Sequence, residues 1–323
     1  MAEAVDFVDI SALFAGNDGL VAECDSAIWT GLRRTGSIVV TGYPDAEMVD
    51  VRARRGLEIF DFAPDVIAPL VTRLVTPGNT NAYRGYWPCT SDRLLKNDFF
   101  DVGPTQPTRG PHLPGMDILT EQTIWPAGQP DWAKVVRAHY DTLNRIAQAL
   151  IQSIGRSAGF DADEIAWRFA GEHSTLRFLN YAAGAGHDQM EGNVAVSAGA
   201  HTDASGLSLL WQGAPGLQAC GQDGVWRDIP MQANAISVHV GDVMTRLTNG
   251  VVPATPHRVL AGQTARQSVG FFLEPALAAP VTSADYSGAL SIEDTYAWQL
   301  LATFAQRDIW KGVIRHPSEA RST

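Results

Sequence analysis

The chain contains 323 residues, with 24 lysines and arginines against 35 aspartates and glutamates, so its formal net charge is −11. Hydrophobic residues make up 45% of the sequence and charged residues 18%, which excludes a disordered chain, a collagen-like repeat and a coiled coil. The acidic balance argues against nucleic acid as a partner, because phosphate contacts require clustered Lys and Arg. No run of about 18 apolar residues occurs, so we expect no membrane-spanning helix and no membrane partner.

The cysteines and the first residues predict where the protein resides. Cys24, Cys89 and Cys220 are scattered and form no CxxC motif, which is typical of reduced thiols and excludes a structural zinc site built on cysteine. The first six residues include Glu3 and Asp6, where a signal peptide would carry basic residues. We therefore expect a cytoplasmic protein.

The N-terminal part of the chain is predicted to be mainly helical, with two strands. Residues 5–10 alternate apolar and acidic side chains, and residues 37–43 are rich in β-branched side chains, so each segment predicts a strand. Helical patterns predict helices over approximately residues 17–34, 45–62 and 65–75.

The segment 76–130 is rich in proline and glycine, which predicts loops with little regular structure. Tyr83, Arg84, Trp87 and Phe99 lie in this segment, and we expect these loops to cover the functional site. Arg84 has two interpretations, a contact with a substrate carboxylate or a purely structural role.

From Asp131 the pattern changes to one long helix. Apolar residues recur at spacings of three or four, which is one face of a 3.6-residue period, and Gly155 and Gly159 are expected to end it. A short helix is predicted over Asp161–Phe169, with Asp161 as its N-cap.

Beyond residue 171 the sequence contains many short strand-like segments separated by turn signals. The predicted strands are Thr175–Ala182, Gly206–Gln212, Gly216–Ala219, Val225–Ile229, Ala235–Val240, His257–Leu260 and Arg266–Glu274. Strands of this length and spacing predict a β-sandwich or jelly roll. A final helix is expected near Ile292–Trp310 and would pack back on the body.

The predicted organisation is one compact unit of mixed α/β (α+β) class. Residues 1–130 form an N-terminal region of helices and strands that covers the site, and residues 131–170 form the long support helix and the short helix. Residues 171–280 form the jelly-roll core with the metal and co-substrate site. Residues 281–323 contribute the C-terminal helix.

Two His-x-Asp sequences are candidates for metal binding. His139 and Asp141 lie within the predicted long helix, where residues two apart point about 200° away from each other around the axis. His201 and Asp203 lie beside a strand-like run, and in an extended chain residues two apart share a face. Only the second pair can therefore chelate one ion.

His257 is the best candidate for a third ligand, because it begins another predicted strand. Two imidazoles and one carboxylate on one side of a metal, with open positions opposite, are the facial triad of non-haem Fe(II) oxygenases. The sequence therefore predicts that His201, Asp203 and His257 are catalytic and hold Fe(II). The open positions would accept a bidentate co-substrate and O2.

A candidate anion site lies shortly after His257. If the segment beginning at Arg266 is a strand, Arg266 and Ser268 project to one side, and a guanidinium beside a hydroxyl forms a fork for a carboxylate. Such a fork in an apolar pocket suits the distal carboxylate of 2-oxoglutarate. Asn180 and Tyr181 are further candidates for co-substrate binding.

In order and spacing, these motifs resemble the isopenicillin N synthase-like family of Fe(II)/2-oxoglutarate-dependent oxygenases. The matching segments are His201-Thr202-Asp203, Asn249-Gly250 followed by His257-Arg258-Val259, Arg266-Gln267-Ser268, Val8-Asp9-Ile10, Gly36–Tyr43, Arg84-Gly85-Tyr86 and Leu176–Tyr181. The resemblance implies a double-stranded β-helix with helices packed outside, and Fe(II), 2-oxoglutarate and O2 as cofactors. His239 stands where the family often has Asn or a small residue, and we interpret it as a core or outer-shell histidine rather than a ligand.

The sequence is interpreted as an Fe(II)- and 2-oxoglutarate-dependent dioxygenase that hydroxylates, desaturates or cyclises a small organic substrate and releases CO2 and succinate. Three alternatives stay open. The first is a non-haem iron oxidase of the same fold that uses no 2-oxoglutarate and holds a substrate carboxylate at Arg266. The others are a non-catalytic β-sandwich that binds a small acidic ligand and a zinc hydrolase. The sequence predicts neither the substrate nor the oligomeric state.

Overall fold

The computed structural model describes residues 4–16, 18–89, 96–106, 108–170, 173–283 and 288–322. Within these ranges the strands are β1 (Asp6–Asp9), β2 (Ser37–Thr41), β3 (Gly85–Trp87), β4 (Asp98–Val102), β5 (Thr175–Tyr181), β6 (Met190–Glu191), β7 (Val194–His201), β8 (Leu207–Gln212), β9 (Leu217–Cys220), β10 (Trp226–Asp228), β11 (Ile236–Val240), β12 (His257–Leu260) and β13 (Arg266–Leu273). The α-helices are α1 (Ala12–Ala15), α2 (Asp18–Thr35), α3 (Ala46–Leu57), α4 (Pro64–Ile67), α5 (Met116–Leu119), α6 (Pro130–Ala158), α7 (Ala162–Arg168), α8 (Asp242–Leu247) and α9 (Tyr296–Ala305). Short 3-10 helices cover Glu58–Asp61, Ala68–Leu70, Ile292–Asp294, Asp308–Trp310 and Pro317–Ser322.

The strands form two sheets with a shared apolar interior. The larger sheet has the order β1-β2-β11-β8-β13-β5-β4-β3, and the smaller has the order β10-β9-β12-β7-β6. Neighbouring strands pair antiparallel, except that β1 runs parallel to β2. Tyr181 from the larger sheet packs in one buried cluster with Ala198, Leu217 and Val259 from the smaller. This arrangement is a double-stranded β-helix, or jelly roll, and the predicted fold class is confirmed.

Helix α6 packs across the larger sheet and supports it. Its buried residues recur at spacings of three and four, as predicted, and include Val136, Tyr140, Leu143, Ala147, Leu150 and Ile154. The Tyr140 ring meets Phe271 of β13 edge-on, with the ring centroids 5.2 Å apart. Each large apolar side chain buried in this way contributes about 1.5–3 kcal/mol before entropy costs. The helix therefore fixes the position of β13.

The two ends of α6 follow from single residues. Pro130 occupies its first turn, where no backbone N–H is needed, and Gly159 ends it in the left-handed conformation (φ +81°). Gly155 does not end the helix, contrary to expectation. It lies inside α6, where an added Cβ would meet the side chain of Ile165 at 3.0 Å, so a glycine there lets α7 pack closely.

The short helix α7 has the predicted N-cap. The carboxylate of Asp161 accepts hydrogen bonds from the backbone N–H groups of Asp163 and Glu164, at 2.9 and 3.2 Å. These bonds satisfy two of the donors that the first turn of a helix leaves unpaired. Asp161 therefore defines where the chain re-enters a helix after α6.

Four strands, β3, β4, β6 and β7, were not predicted where the structure has them. Segment 76–130, expected to be loops, contains β3 and β4, which extend the larger sheet beyond β5. Strand β7 also escaped prediction, because Val194–His201 consists largely of alanine, serine and glycine, which carry a weak strand signal. The N-terminal strands β1 and β2 pair next to β11, so the N-terminal region and the jelly-roll strands share one sheet.

Several helices are shorter than the sequence pattern indicates. Helix α4 ends at Ile67, and Pro69 in the following 3-10 turn prevents its continuation. The C-terminal helix α9 spans only ten residues and is flanked by separate 3-10 turns. Among the described residues, no helix combines the length and apolar character needed to cross a bilayer.

Candidate active site

The candidate metal ligands converge through the pairing of β7 with β12. His201 is the last residue of β7 and His257 the first residue of β12, and the two are register partners in the smaller sheet. Their ring centroids lie 4.4 Å apart. Asp203 lies in the turn between β7 and β8, rather than on a strand face shared with His201 as expected. The structure nevertheless brings the three residues together.

The hydrogen bonds of the two histidines orient them towards Asp203. Nδ1 of His201 donates to the carbonyl of Gly199 at 2.7 Å, and Nδ1 of His257 donates to the carbonyl of Thr255 at 3.1 Å. Each Nε2 therefore keeps a free lone pair, which is how metal-binding histidines are usually fixed. The two Nε2 atoms lie 3.8 and 3.6 Å from the Asp203 carboxylate oxygens. One ligand atom from each residue falls within 4.8 Å of the others.

The electrostatics favour the metal-binding protonation states of Asp203 and His201. Burial raises the pKa of Asp203, but the His257 and His201 imidazoles and the Ser208 hydroxyl outweigh it and lower the pKa below its ordinary value. The Ser208 hydroxyl donates to Asp203 at 2.5 Å. Burial and His257 lower the pKa of His201, which favours its neutral form. These shifts favour an ionised Asp203 carboxylate beside a neutral His201 imidazole.

Arg266 and Ser268 lie at the start of β13, in the cleft that is also lined by His201, Asp203 and His257. These three candidate metal ligands are called the metal cluster below. Nη1 of Arg266 donates to the Ser268 hydroxyl at 3.1 Å, and Nε donates to the carbonyl of Ala214 at 3.3 Å. The guanidinium is buried, and no acidic side chain in the described part of the chain forms an ion pair with it. Because a buried cation without an anion is costly, this site is suited to an anionic ligand.

Both groups open into one cleft between the two sheets. Its volume is about 560 Å³, including space open to solvent. Besides the metal cluster, Arg266 and Ser268, it is lined by Arg177, Leu179, Tyr181, Ala198, Leu210, Trp211, Gln212, Leu217, Val259 and Phe272. A small ligand in this cleft can contact the metal cluster and Arg266 at once.

The two candidates on β5 have different positions. Tyr181 lines the cleft, and its ring centroid lies 5.3 Å from the Arg266 guanidinium carbon. Asn180 does not line it: as the neighbouring residue of a pleated strand it faces the other way, where its side chain accepts a hydrogen bond from Gln267 at 3.3 Å. The geometry supports a ligand contact for Tyr181 and none for Asn180.

Two further histidines that the sequence analysis singled out, His139 and His239, are buried core residues. His139, from the other His-x-Asp sequence, lies inside α6 beside the ring of Phe178 and is fully buried. His239 on β11 accepts or donates a hydrogen bond at Ser237 Oγ (3.1 Å), and its ring lies 5.3 Å from that of His257. Burial lowers the pKa of both histidines to about 3.

Arg84 belongs to a buried network away from the cleft lining. Its guanidinium donates to the Thr175 hydroxyl at 2.5 Å and to the carbonyl of His173 at 2.9 Å. The carboxylate of Glu121 holds the same segment by accepting from the backbone N–H groups of residues 82–84. These contacts favour the structural interpretation of Arg84.

Two cleft features escaped the sequence analysis. Arg177 lines the cleft from β5 and forms a bidentate ion pair with Asp101 of β4, at 2.7 and 2.8 Å. Phe272 lines the cleft from β13. The period-two pattern could have revealed Arg177, because residues 177, 179 and 181 share one face of β5.

Comparison with known proteins finds a family model that matches the segment containing the candidate site. Residues 174–275 match the model of the 2OG-Fe(II) oxygenase superfamily. This segment contains the three candidate metal ligands together with Arg266 and Ser268. This part of the chain is therefore similar to the 2OG-Fe(II) oxygenase superfamily, and the resemblance inferred from the sequence motifs is confirmed.

Curated relatives share part of the chain at low identity. The 1-aminocyclopropane-1-carboxylate oxidase of Musa acuminata is 28% identical over 52% of this chain and 55% of its own length. Leucoanthocyanidin dioxygenase 2 of Oryza sativa is 32% identical over 51% of this chain and 45% of its own length. The chain thus spans about half the length of these relatives. Gibberellin 20 oxidase 4 of Arabidopsis thaliana is 23% identical over 94% of this chain and 79% of its length.

Solved structures share the fold over nearly the whole chain. A Neurospora crassa protein solved in complex with alpha-KG and thymine superposes with a TM-score of 0.70 and 20% identity, over 90% of this chain and 92% of that chain. A 2OG-Fe(II) oxygenase family protein of Caulobacter crescentus gives a TM-score of 0.73 at 21% identity, over 93% and 99%. At these identities the likeness concerns the fold, which is the jelly roll described above.

Proposed function

We propose that the chain is an Fe(II)- and 2-oxoglutarate-dependent dioxygenase that hydroxylates a small organic substrate, or desaturates or cyclises it. One observation carries the proposal: two imidazoles, one carboxylate and a buried guanidinium without an acidic partner among the described residues line the same cleft. The donor set fits ferrous iron, because two imidazole nitrogens and one carboxylate form a facial triad. The similarity to the family model supports the same cofactors.

In this proposal each residue has a defined task. His201, Asp203 and His257 hold Fe(II), which when bound supplies O2 activation coupled to oxidative decarboxylation of 2-oxoglutarate to succinate and CO2. Arg266 and Ser268 hold the distal carboxylate of 2-oxoglutarate and so orient its other end towards the metal. Apolar side chains of both sheets exclude water from the cleft.

The partners of the protein in this proposal are small molecules. The net charge of −11 disfavours nucleic acid. The relatives that share the fold include a protein solved with alpha-KG and thymine and another solved with 2OG, Fe and JA, which supports a small organic substrate. A cytoplasmic location accords with Cys24, Cys89 and Cys220, which form no disulfide within the described residues.

An anaerobic titration tests the proposal. Fe(II) followed by 2-oxoglutarate should produce the visible charge-transfer band of the bidentate chelate in the wild-type protein. His201→Ala should abolish the band, whereas His187→Ala, a change at an exposed histidine outside the cleft, should leave it intact. Retention of the band in His201→Ala would remove this histidine from the metal site, and its absence in the wild-type protein would reject the proposal.

The oxidase alternative is tested by the products. If Arg266 holds a substrate carboxylate in place of 2-oxoglutarate, turnover releases no succinate. Stoichiometric succinate after admission of O2 therefore supports the dioxygenase, and turnover without succinate supports the oxidase. A non-catalytic β-sandwich would bind Fe(II) no more tightly than its His201→Ala variant, and a zinc hydrolase would work without O2.

A further inference from the structure

Arg177 is a second arginine that lines the cleft, and it lies far in the sequence from Arg266 and Ser268. It projects from β5 on the face that also carries Leu179 and Tyr181, and it lines the cleft with the metal cluster. A quarter of its side-chain surface is exposed. A guanidinium in this position can contact a molecule bound beside the metal.

The hydrogen bonds of Arg177 leave one part of the guanidinium available. Nε and Nη2 donate to the two carboxylate oxygens of Asp101, at 2.7 and 2.8 Å. No group in the described part of the chain accepts a hydrogen bond from Nη1. Asp101 is buried, so the ion pair is held in a fixed orientation and has no net charge. The pair therefore offers N–H donors without offering a free positive charge.

Aromatic rings flank the same guanidinium. The guanidinium carbon of Arg177 lies 4.0 Å from the ring centroid of Phe99 and 5.5 Å from that of Phe272. Phe272 itself lines the cleft. A flat apolar ring seated against Phe272 would bury its faces, and a polar atom on its rim could reach the free donors of Arg177.

The charges of the occupied cleft disfavour an anionic substrate. On the proposed function, the ferrous ion and Arg266 contribute three positive charges, and Asp203 and the 2-oxoglutarate dianion contribute three negative charges. The pair of Arg177 and Asp101 adds none. A carboxylate entering this neutral site would lose its hydration without gaining a compensating cation.

We propose that the substrate is an uncharged ring compound with a carbonyl oxygen, which accepts a hydrogen bond from Nη1 of Arg177 while the ring packs against Phe272. Arg177 is thus a specificity-determining residue, and Asp101 is a positioning residue that also neutralises its charge. This inference rests on the proposed function, because the charge balance includes Fe(II) and 2-oxoglutarate.

Matched probes test the inference by calorimetric titration of the anaerobic protein loaded with Fe(II) and 2-oxoglutarate. The probes are benzamide against benzoate, and uracil against orotate. The neutral member of each pair should bind about tenfold more tightly or better. Arg177→Gln should weaken binding of the neutral probes by about tenfold and leave the 2-oxoglutarate titration unchanged, whereas Arg33→Gln on the exposed surface of α2 should change neither.

Asp101→Asn distinguishes a positioning and neutralising role of Asp101 from a purely structural one, because only the former changes the preference between benzoate and benzamide. Removing the carboxylate leaves the Arg177 charge uncompensated, so benzoate should gain affinity relative to benzamide. Tighter binding of the carboxylates by the wild-type protein, no detectable binding of either neutral probe, or unchanged affinity in Arg177→Gln would overturn the inference. A missing 2-oxoglutarate band in the wild-type protein would instead refute the proposed function, so the two failures are distinguishable.

Discussion

The anion-binding role of Arg266 is predicted from the sequence, and its environment in the structure supports that prediction. Its position two residues before Ser268 predicts a carboxylate fork, and the structure adds that the guanidinium is buried and, among the described residues, has only neutral hydrogen-bond partners. Burial lowers the pKa of this arginine, although it stays charged at any physiological pH. The energy of a bound anion therefore depends strongly on Arg266.

We predict that Arg266→Ala weakens 2-oxoglutarate binding by about 2–4 kcal/mol, because a buried charge-assisted pair is lost. The measurement is the anaerobic 2-oxoglutarate titration, with Arg33→Ala as an exposed control. Fe(II) affinity without co-substrate should stay the same in both variants. Unchanged 2-oxoglutarate affinity in Arg266→Ala would contradict the assigned role.

The sequence located the metal cluster, Arg266 and Ser268, but it did not distinguish the faces of β5. Asn180 and Tyr181 are adjacent, and only the pleat of a strand with known register separates them. The period-two pattern places Arg177 on the same face as Tyr181, but its ion pair with Asp101, which is far away in the sequence, could not be predicted from that pattern.

At the scale of elements, the pairing of β7 with β12 brings the two histidines together. Strand β7 could not be predicted because its small residues lack a strand signal, whereas α6 could, because its apolar stripe continues through many turns. Strands β3 and β4 were not predicted because prolines and glycines surround them and favour loops. Element prediction succeeded where local pattern dominates and failed where pairing across the sheet decides.

The end of α6 gives a prediction for a single backbone position. Gly159 has φ +81° and no atoms within 4 Å of an added Cβ, so Gly159→Ala should cost about 1–2 kcal/mol through the left-handed conformation alone. Denaturant unfolding measures this free energy. Gly78→Ala is the control, because Gly78 has equal space and no positive φ, and its stability should hardly change. Equal effects in both variants would contradict the backbone argument.

At the scale of the whole molecule, a buried polar cluster joins distant parts of the chain. Glu274, just after β13, accepts hydrogen bonds from the hydroxyls of Thr175 on β5 and Tyr296 on α9, each at 3.1 Å. The Nε2 atom of His173 lies 3.8 Å from the same carboxylate. Burial raises the pKa of Glu274 to about 7. We therefore expect the contact between the C-terminal helix and the jelly roll to depend on pH.

The raised pKa fixes the sign of the pH dependence. Between the ordinary value of 4.5 and about 7, the folded protein retains a proton on Glu274 that the unfolded chain releases, so this contribution to stability is lost as the pH rises. The free energy of unfolding of the wild-type protein should fall between pH 5 and pH 8. We predict that this fall is smaller in Glu274→Gln, by at most about 3 kcal/mol. Urea titrations at both values measure it, with exposed Glu23→Gln as the control. Parallel pH profiles for wild type and Glu274→Gln would count against this assignment.

The placement of the ligand histidines at the ends of two paired strands has a consequence for the life of the protein in a cell. An ion bound by His201 and His257 would crosslink the paired ends of β7 and β12 in the smaller sheet. Any species that binds only the native state shifts the folding equilibrium towards that state. Without the ion, the paired ends of β7 and β12 would separate more often and newly made polypeptide would be a better substrate for proteases, so its abundance would follow the iron supply.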